Sequence, residues 1–447
     1  MRRSGPALLF GPLFGLLAAA GPSGAMEAMP AGCHYDLRLH DPAALVLDVT
    51  GRCDQPVAFD RPGGAGMAAA LDRFDPGADG RSISYRLRLG DLADLAGSPD
   101  IAQRIDGAVV SPLSVWLADN DLPEAAITLA FTAAAGLGIA HALPGRDGRL
   151  HLKRSDIRFG GYAVFGQFDH DRIAVPGAEI ALVRFPGRRS PGDALLRRWI
   201  ADSAGIVADY FGRFPLPHSL IVAVPATGRS GVVFGRVRGG GGGSVLLRLG
   251  ETASRAELYD DWILVHEMIH LGAPFITGRS AWLMEGMATY IEPVIRTRAG
   301  WRSPEQLWEE FASQMPRGVE ALTVESLNAV TRRGLYWGGA IFMLLADLDI
   351  RERSEGRASL ETCLRAVLQA GGDTTVRWPR QRFLDACDAA TGTGTMDRLV
   401  RLYVTQASPL DLEGLWRDLG VALGPAGVTF DDTAPRAALR RAITEGR

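Results

Sequence analysis

His266-Glu267-Met268-Ile269-His270 places two imidazoles four residues apart with a carboxylate between them. On a helix, four residues make about one turn, so both histidines leave the same face. Two neutral imidazoles converging on one point suit Zn²⁺, and Glu267 lies beside them, within reach of a water held there. A catalytic zinc takes three protein ligands and keeps one position open for solvent. Glu285, fifteen residues after His270 in the run Trp282-Leu283-Met284-Glu285-Gly286-Met287-Ala288-Thr289-Tyr290, offers the third. Water at such a centre gives up a proton near neutral pH, which Glu267 is placed to take and later pass to a leaving amine. Glu292, seven residues beyond Glu285 on the same face, is a candidate for orienting a ligand imidazole.

Those side chains need buried helices to hold them. Asp260-Asp261 supplies helix-start acids, Trp262-Ile263-Leu264-Val265 supplies apolar residues, and Leu271-Gly272 ends the run with a capping glycine. Ile263, Leu264, Met268, Ile269 and Leu271 bury this helix, and buried histidines need partners, a shared metal being the simplest. Trp282, Leu283, Met284, Met287 and Tyr290 bury the helix that carries Glu285. Gly286 is expected to let that helix pack tightly against the histidine helix.

The two segments together resemble the gluzincin metallopeptidases, whose third ligand is the glutamate of a W-x-x-E-G segment. Leu335-Tyr336-Trp337-Gly338-Gly339-Ala340 and the apolar helix after it resemble the tyrosine-led helix of those enzymes. Arg357-Ala358-Ser359-Leu360-Glu361 fits the glycyl aminopeptidase-like branch best. The resemblance spans roughly residues 190–400. It implies a thermolysin-like catalytic domain, a zinc cofactor, peptide-bond hydrolysis, and for Tyr336 a hydrogen bond to the oxyanion as the tetrahedral intermediate forms. Gly338 stands where the family has a lysine. The clan's aminopeptidases also carry a glutamate on a glycine-rich strand that holds the substrate's amino terminus, whereas here no acid follows Gly231 until Glu251. Aminopeptidase and endopeptidase therefore both stay open, and Arg236 and Arg238 suit acidic groups. The run Gly239 to Gly243 suits close approach of a peptide backbone, and residues 244–249 are expected to be an edge strand that adds the substrate by β-augmentation.

The rest of the chain frames that site. Its 447 residues are 47% apolar and 22% charged, with a formal net charge of −3, enough for two or three domains and no support for nucleic-acid binding. Arg2-Arg3, an apolar stretch over residues 7–20 and the small-residue exit Gly21-Pro22-Ser23-Gly24-Ala25 read as a cleavable signal peptide over residues 1–25. The stretch is short for a spanning helix, which needs about 20 residues. The expected location is periplasmic or secreted, with no stable membrane insertion after cleavage. Export favours bridges between Cys33 and Cys53 and between Cys363 and Cys387, although four cysteines allow three pairings.

Alternating strands near residues 35–39, 45–49, 82–89, 111–117, 127–131, 162–168 and 180–185 predict a β-rich domain over residues 26–186. A helix from Asp193 to about Phe211 and a strand near 219–224 open a catalytic domain over 187–350. Everything from Trp301 to about Leu419 is helical in pattern, with breaks at Pro316, Gly334, Gly371-Gly372 and Gly392 to Gly394, and residues 351–447 are expected to form a C-terminal helical domain. The expected fold class is multidomain α+β: an N-terminal β-sandwich, a thermolysin-like zinc catalytic domain and a C-terminal helical domain. The expected function is an exported zinc metallopeptidase acting on peptides or proteins. The alternative is a catalytically silent, zinc-containing peptide-binding protein on a peptidase scaffold, which the intact Glu267 argues against.

Overall fold

In strand Gly32–His40 the side chains alternate: Cys33, Tyr35, Leu37 and Leu39 are buried while His34, Asp36 and Arg38 face solvent. This is the centre of the first sheet in a computed structural model that describes residues 32–63, 65–122, 126–146, 148–185, 191–330 and 332–446. The expected signal peptide lies outside the described residues. The sheet has seven strands in the order Leu71–Pro76, Ser82–Arg88, Val46–Cys53, Gly32–His40, Ala126–Ala133, Arg149–Lys153 and Gly145–Arg146. Gly32–His40 runs antiparallel to Val46–Cys53, with Cys33 opposite Cys53, and parallel to Ala126–Ala133. Cys33 and Cys53 are bridged, as are Cys363 and Cys387.

A second sheet, Gln103–Ile105, Ala108–Pro112, Tyr162–Gly166 and Gly138–His141, lies against the first. Its central strands are buried on both faces. Val109, Ala163 and Phe165 enter the core of the seven-stranded sheet, whereas Val110, Tyr162 and Val164 pack on a third sheet. The strand expected over 111–117 breaks at Pro112, and Leu113–Trp116 forms a helical turn. Proline lacks the N–H that would continue the ladder.

The third sheet corrects two expectations. Its order is Asp169–Val175, Ala178–Arg184, His218–Ala226, Gly243–Gly250 and Val232–Arg238. Residues 169–184, placed by sequence in the N-terminal domain ending at 186, pair instead with the strand that follows helix Asp193–Phe211. The change of hydrophobic period near Pro191 marks a strand-to-helix turn, and Ile180, Leu182, Leu196 and Trp199 share one core across it. The second correction concerns the edge. Gly243–Gly250 is paired on both sides, in keeping with its apolar Val245-Leu246-Leu247, and the edge strand at that end of the sheet is Val232–Arg238.

The helices that follow pack into one apolar core with that sheet. Histidine helix Ile263–Leu271, glutamate helix Ala281–Arg298 and tyrosine helix Arg332–Arg353 contribute to it together with Leu360–Gln369, Arg380–Thr391 and Thr395–Tyr403. Gly334 does not break the chain but lies in the first turn of the tyrosine helix. Pro316 sits in the short 3-10 turn Met315–Gly318, and Gly392 ends a helix in the left-handed conformation. Among the described residues, no helix is long and apolar enough to cross a membrane.

Candidate metal centre

The histidine helix begins where Asp261 Oδ2 accepts the backbone N–H of Leu264. Burial of this carboxyl raises its pKa to about 6 against the pull of those N–H bonds and of Arg296. Five residues on, His266 and His270 are both buried, and their Nε2 atoms lie 3.3 and 3.6 Å from Glu285 Oε2. One ligand atom from each of the three residues falls within 4.8 Å of the others. Donors about 2.0–2.1 Å from a tetrahedral zinc sit roughly 3.3–3.4 Å apart, so the imidazole–carboxylate separations fit that ion without rearrangement. Burial disfavours charge on both rings. It prevails at His266, held below the usual histidine range, whereas at His270 the Glu285 carboxylate outweighs it and holds the ring above. Despite burial, hydrogen bonds to His266 and His270 push Glu285 well below the ordinary carboxylate range. A site built of one carboxylate and two imidazoles, sharing positive charge in this way, is one in which a cation can replace a proton.

Glu285 is placed by a crossing of two helices. A Cβ on Gly286 would come 2.2 Å from the backbone carbon of Gly339, and one on Gly339 would come 2.1 Å from the Trp282 carbonyl oxygen. Gly286 thus brings the glutamate helix against the tyrosine helix, not against the histidine helix as expected. One residue before Gly286 lies Glu285, and one turn before Gly339 lies Tyr336. The Tyr336 ring is 42% exposed, which sets it apart from a core tyrosine, and its centroid is 6.4 Å from that of His266. Gly338, the departure from the family's lysine, faces the turn before it: a Cβ there would meet Ala321 at 2.7 Å, so no longer side chain fits.

Glu267 is held by the edge strand. Its Oε2 accepts the Val237 N–H at 2.8 Å, and any Cβ at Gly235 would strike Glu267 Cγ at 2.8 Å. Glycine at 235 therefore makes the space that the carboxylate occupies. The first contact is not readable from residue types, because a backbone N–H carries no sequence signal. Position 235 does: it is the lone glycine in an otherwise side-chain-bearing strand. The five-glycine run meets the protein's own backbone instead of a ligand's. Gly239 lies against the Thr374 carbonyl and Gly242, at φ 156°, against that of Ala142, so the run is threaded between neighbouring segments. Glu292 is buried but does not orient an imidazole. Its Oε1 accepts from Arg296 one turn along the same helix, at 2.7 Å.

His266, Glu267, His270, Glu285 and Tyr336 all line one cleft of about 1100 Å³, floored by the edge strand and walled by residues 371–382. A smaller cavity of about 340 Å³ opens behind Trp262, His266 and Tyr336 and includes Glu292. Of the six residues the sequence singled out for this site, the fold brings five together in the cleft, and Glu292 pairs with Arg296 instead.

No protein-family model matches the chain, and no curated protein sequence does. Solved structures do. An aminopeptidase N family protein from Idiomarina loihiensis superimposes with a TM-score of 0.64 over 87% of this chain and 78% of its own, at 13% identity. An M1 zinc metallopeptidase from Deinococcus radiodurans gives 0.50 over 85% and 95%, at 16% identity. A variant two-domain M1 zinc metallopeptidase bound to L-arginine gives 0.50 over 85% and 96%, also at 16% identity. The structural neighbours are thus M1 zinc metallopeptidases and aminopeptidase N family proteins, of the gluzincin type, and what is shared at these identities is the fold.

Proposed function

We propose, from a gluzincin fold carrying this donor set, that the protein is an exported zinc metallopeptidase. His266, His270 and Glu285 hold the ion, Glu267 is general base and then general acid, and Tyr336 donates to the oxyanion. The observation that carries the reading is the convergence of His266 Nε2 and His270 Nε2 on Glu285 Oε2, at 3.3 and 3.6 Å with all three ligand atoms within 4.8 Å, beside a carboxylate fixed by an edge-strand N–H. Zinc bound there supplies Lewis acidity and lowers the pKa of water from 15.7 towards about 7.

The chain's own residues do the rest. Val237 N–H fixes one oxygen of Glu267, so the other is left to take a proton from attacking water and return it to the leaving amine. The outer edge of Val232–Arg238 pairs with an extended peptide by β-augmentation and presents its carbonyl above Glu267. The Tyr336 hydroxyl, on a ring 6.4 Å from that of His266, stabilises charge that exists only in the transition state. Two disulfides support export to an oxidising compartment.

Metal analysis with a mixed peptide library tests the reading. The purified protein should carry one zinc per chain and show peptide hydrolysis that a chelator abolishes and zinc restores. Glu267→Gln should keep its zinc and lose about 10²–10⁴-fold in turnover. Glu285→Ala should lose the ion. Turnover surviving in Glu267→Gln, or full zinc content in Glu285→Ala, would overturn the assignment.

A further inference from the structure

The cleft is basic in a chain that is slightly acidic overall. Lys153, Arg236, Arg238, Arg377 and Arg382 line it. The acids there are already committed: Glu267 and Glu285 belong to the metal centre, and Asp156 accepts the backbone N–H of Lys153. Arg236 and Arg238, on the edge strand, share the single carboxylate of Asp100. Arg377 and Arg382 have no carboxylate within ion-pair distance among the described residues. Aromatic faces hold them instead. The Arg377 guanidinium lies 3.6 Å from the Phe159 ring centroid and 4.4 Å from that of Phe275, and Arg382 lies 3.9 Å from that of Trp378. Phe159 and Phe275 are each 42% exposed, so this stack stands at the cleft's surface and not in the core. Partial desolvation against the two rings pulls Arg377 somewhat below its ordinary pKa, although the residue as a whole is exposed.

The position of this pair along the substrate follows from the edge strand. Gly235 marks the place above Glu267, and Gly239, four residues on, touches Thr374, which opens the segment leading to Arg377. Four extended residues span about 13 Å. A peptide laid along the strand with its scissile bond at the metal centre therefore reaches the segment that carries the two arginines about four residues away. An ammonium end-group on that side would meet guanidinium groups and no unpaired acid.

We propose that Arg377 and Arg382 receive a substrate carboxylate, about four residues from the cleaved bond, and so select acidic peptides. This rests on the peptidase reading above and adds the substrate class. The carboxylate has two sources, an Asp or Glu side chain and a free carboxyl terminus.

Internally quenched peptides of one length decide between them. One series moves a single Asp, with Asn as its control, through positions on both sides of the cleaved bond; a second compares a carboxyl terminus with its amide. We expect kcat/KM to favour the carboxylate about 10-fold to 100-fold at one position, as for a charge-assisted hydrogen bond, and the preference to shrink as salt is added. A preference confined to the Asp series assigns a side chain; one confined to the second series assigns the terminus. In Arg377→Glu/Arg382→Glu the preference should invert towards Lys at the same position, an outcome that misfolding cannot produce. Hydrolysis without any carboxylate preference overturns the proposal and leaves the peptidase reading intact. If the zinc-loaded protein cleaves nothing, the peptidase reading falls. Fluorescence anisotropy of a labelled Asp-rich peptide and its Asn counterpart on Glu267→Gln then still decides: tighter binding of the acidic probe, lost in the double reversal, supports the proposal, and equal binding refutes it.

Discussion

Tyr336 is the residue whose part in the site depends most on its surroundings. Its ring stands half open in the cleft beside His266, where a phenol can donate to an oxygen that becomes charged only during the reaction. Tyr336→Phe removes the hydroxyl and keeps the ring, so kcat should fall about 10²–10³-fold while zinc content stays at that of the native protein. A rise in KM alone, or loss of the metal, would assign the tyrosine to binding or to structure instead. The residues flanking it differ in how readable they were. His266, Glu267 and His270 lie within one helical turn, so their convergence needs only a helix, and Glu285 follows in a run whose apolar neighbours announce burial. Glu292 was misread because helical spacing says which residues share a face and not what that face meets. It meets Arg296 on its own helix.

The elements set these side chains through contacts that spacing alone does not reveal. The tyrosine and glutamate helices touch backbone to backbone at Gly286 and Gly339, where even a methyl group has no room. Gly339→Ala should force the helices apart, destabilise the fold by about 1–3 kcal/mol and weaken zinc binding by shifting Glu285 away from the two rings. Denaturant unfolding with a zinc titration measures both; a variant with native affinity would show that the crossing does not place the ligand. At the start of the histidine helix, the half-buried Asp261 has a folded-state pKa of about 6, above its ordinary value of 3.8. Its favourable contribution is therefore full below about pH 4 and is lost as pH rises through 6. Asparagine caps as well without ionising. Asp261→Asn should match the native protein near pH 4 and exceed it by about 1–3 kcal/mol at pH 7.5, read from urea midpoints at the two values. An unchanged gap between the two pH values would refute burial as the cause. The edge strand was assigned one strand too late for a related reason. The apolar triplet Val245-Leu246-Leu247 signals a strand covered on both sides, and the half-buried Val232–Arg238 shows a weaker pattern because one of its edges is open.

At the scale of the whole molecule, the expected domains are fused through shared layers, and residues 31–447 form one compact unit. The middle sheet has no solvent-facing side: Val109 and Phe165 point into one neighbouring core while Val110 and Val164 meet Leu220, Val222 and Leu246 of the sheet that carries the edge strand. The tyrosine helix likewise runs across the boundary expected at 350, and the helices beyond it share its core. Sequence alternation could mark each strand but not this stacking, since short, wholly apolar strands give no sign of which layer each face meets. The consequence is cooperative unfolding. Removing residues 32–168 would expose the apolar face formed by Val183, Leu220, Val222, Val224 and Leu246, so a fragment starting at 169 should be insoluble or aggregated. In the intact protein, Val164→Asp places an unpaired charge between the layers and should lower stability by more than about 3 kcal/mol while also loosening zinc, although it touches no ligand. Calorimetry distinguishes this from separable domains. One endotherm, with van't Hoff and calorimetric enthalpies equal and the whole transition raised by zinc, is expected of fused layers. Two endotherms, of which zinc shifts one and Val164→Asp the other, would mean that the sheets only lean on each other and that the strand holding Glu267 is positioned without help from the amino-terminal half.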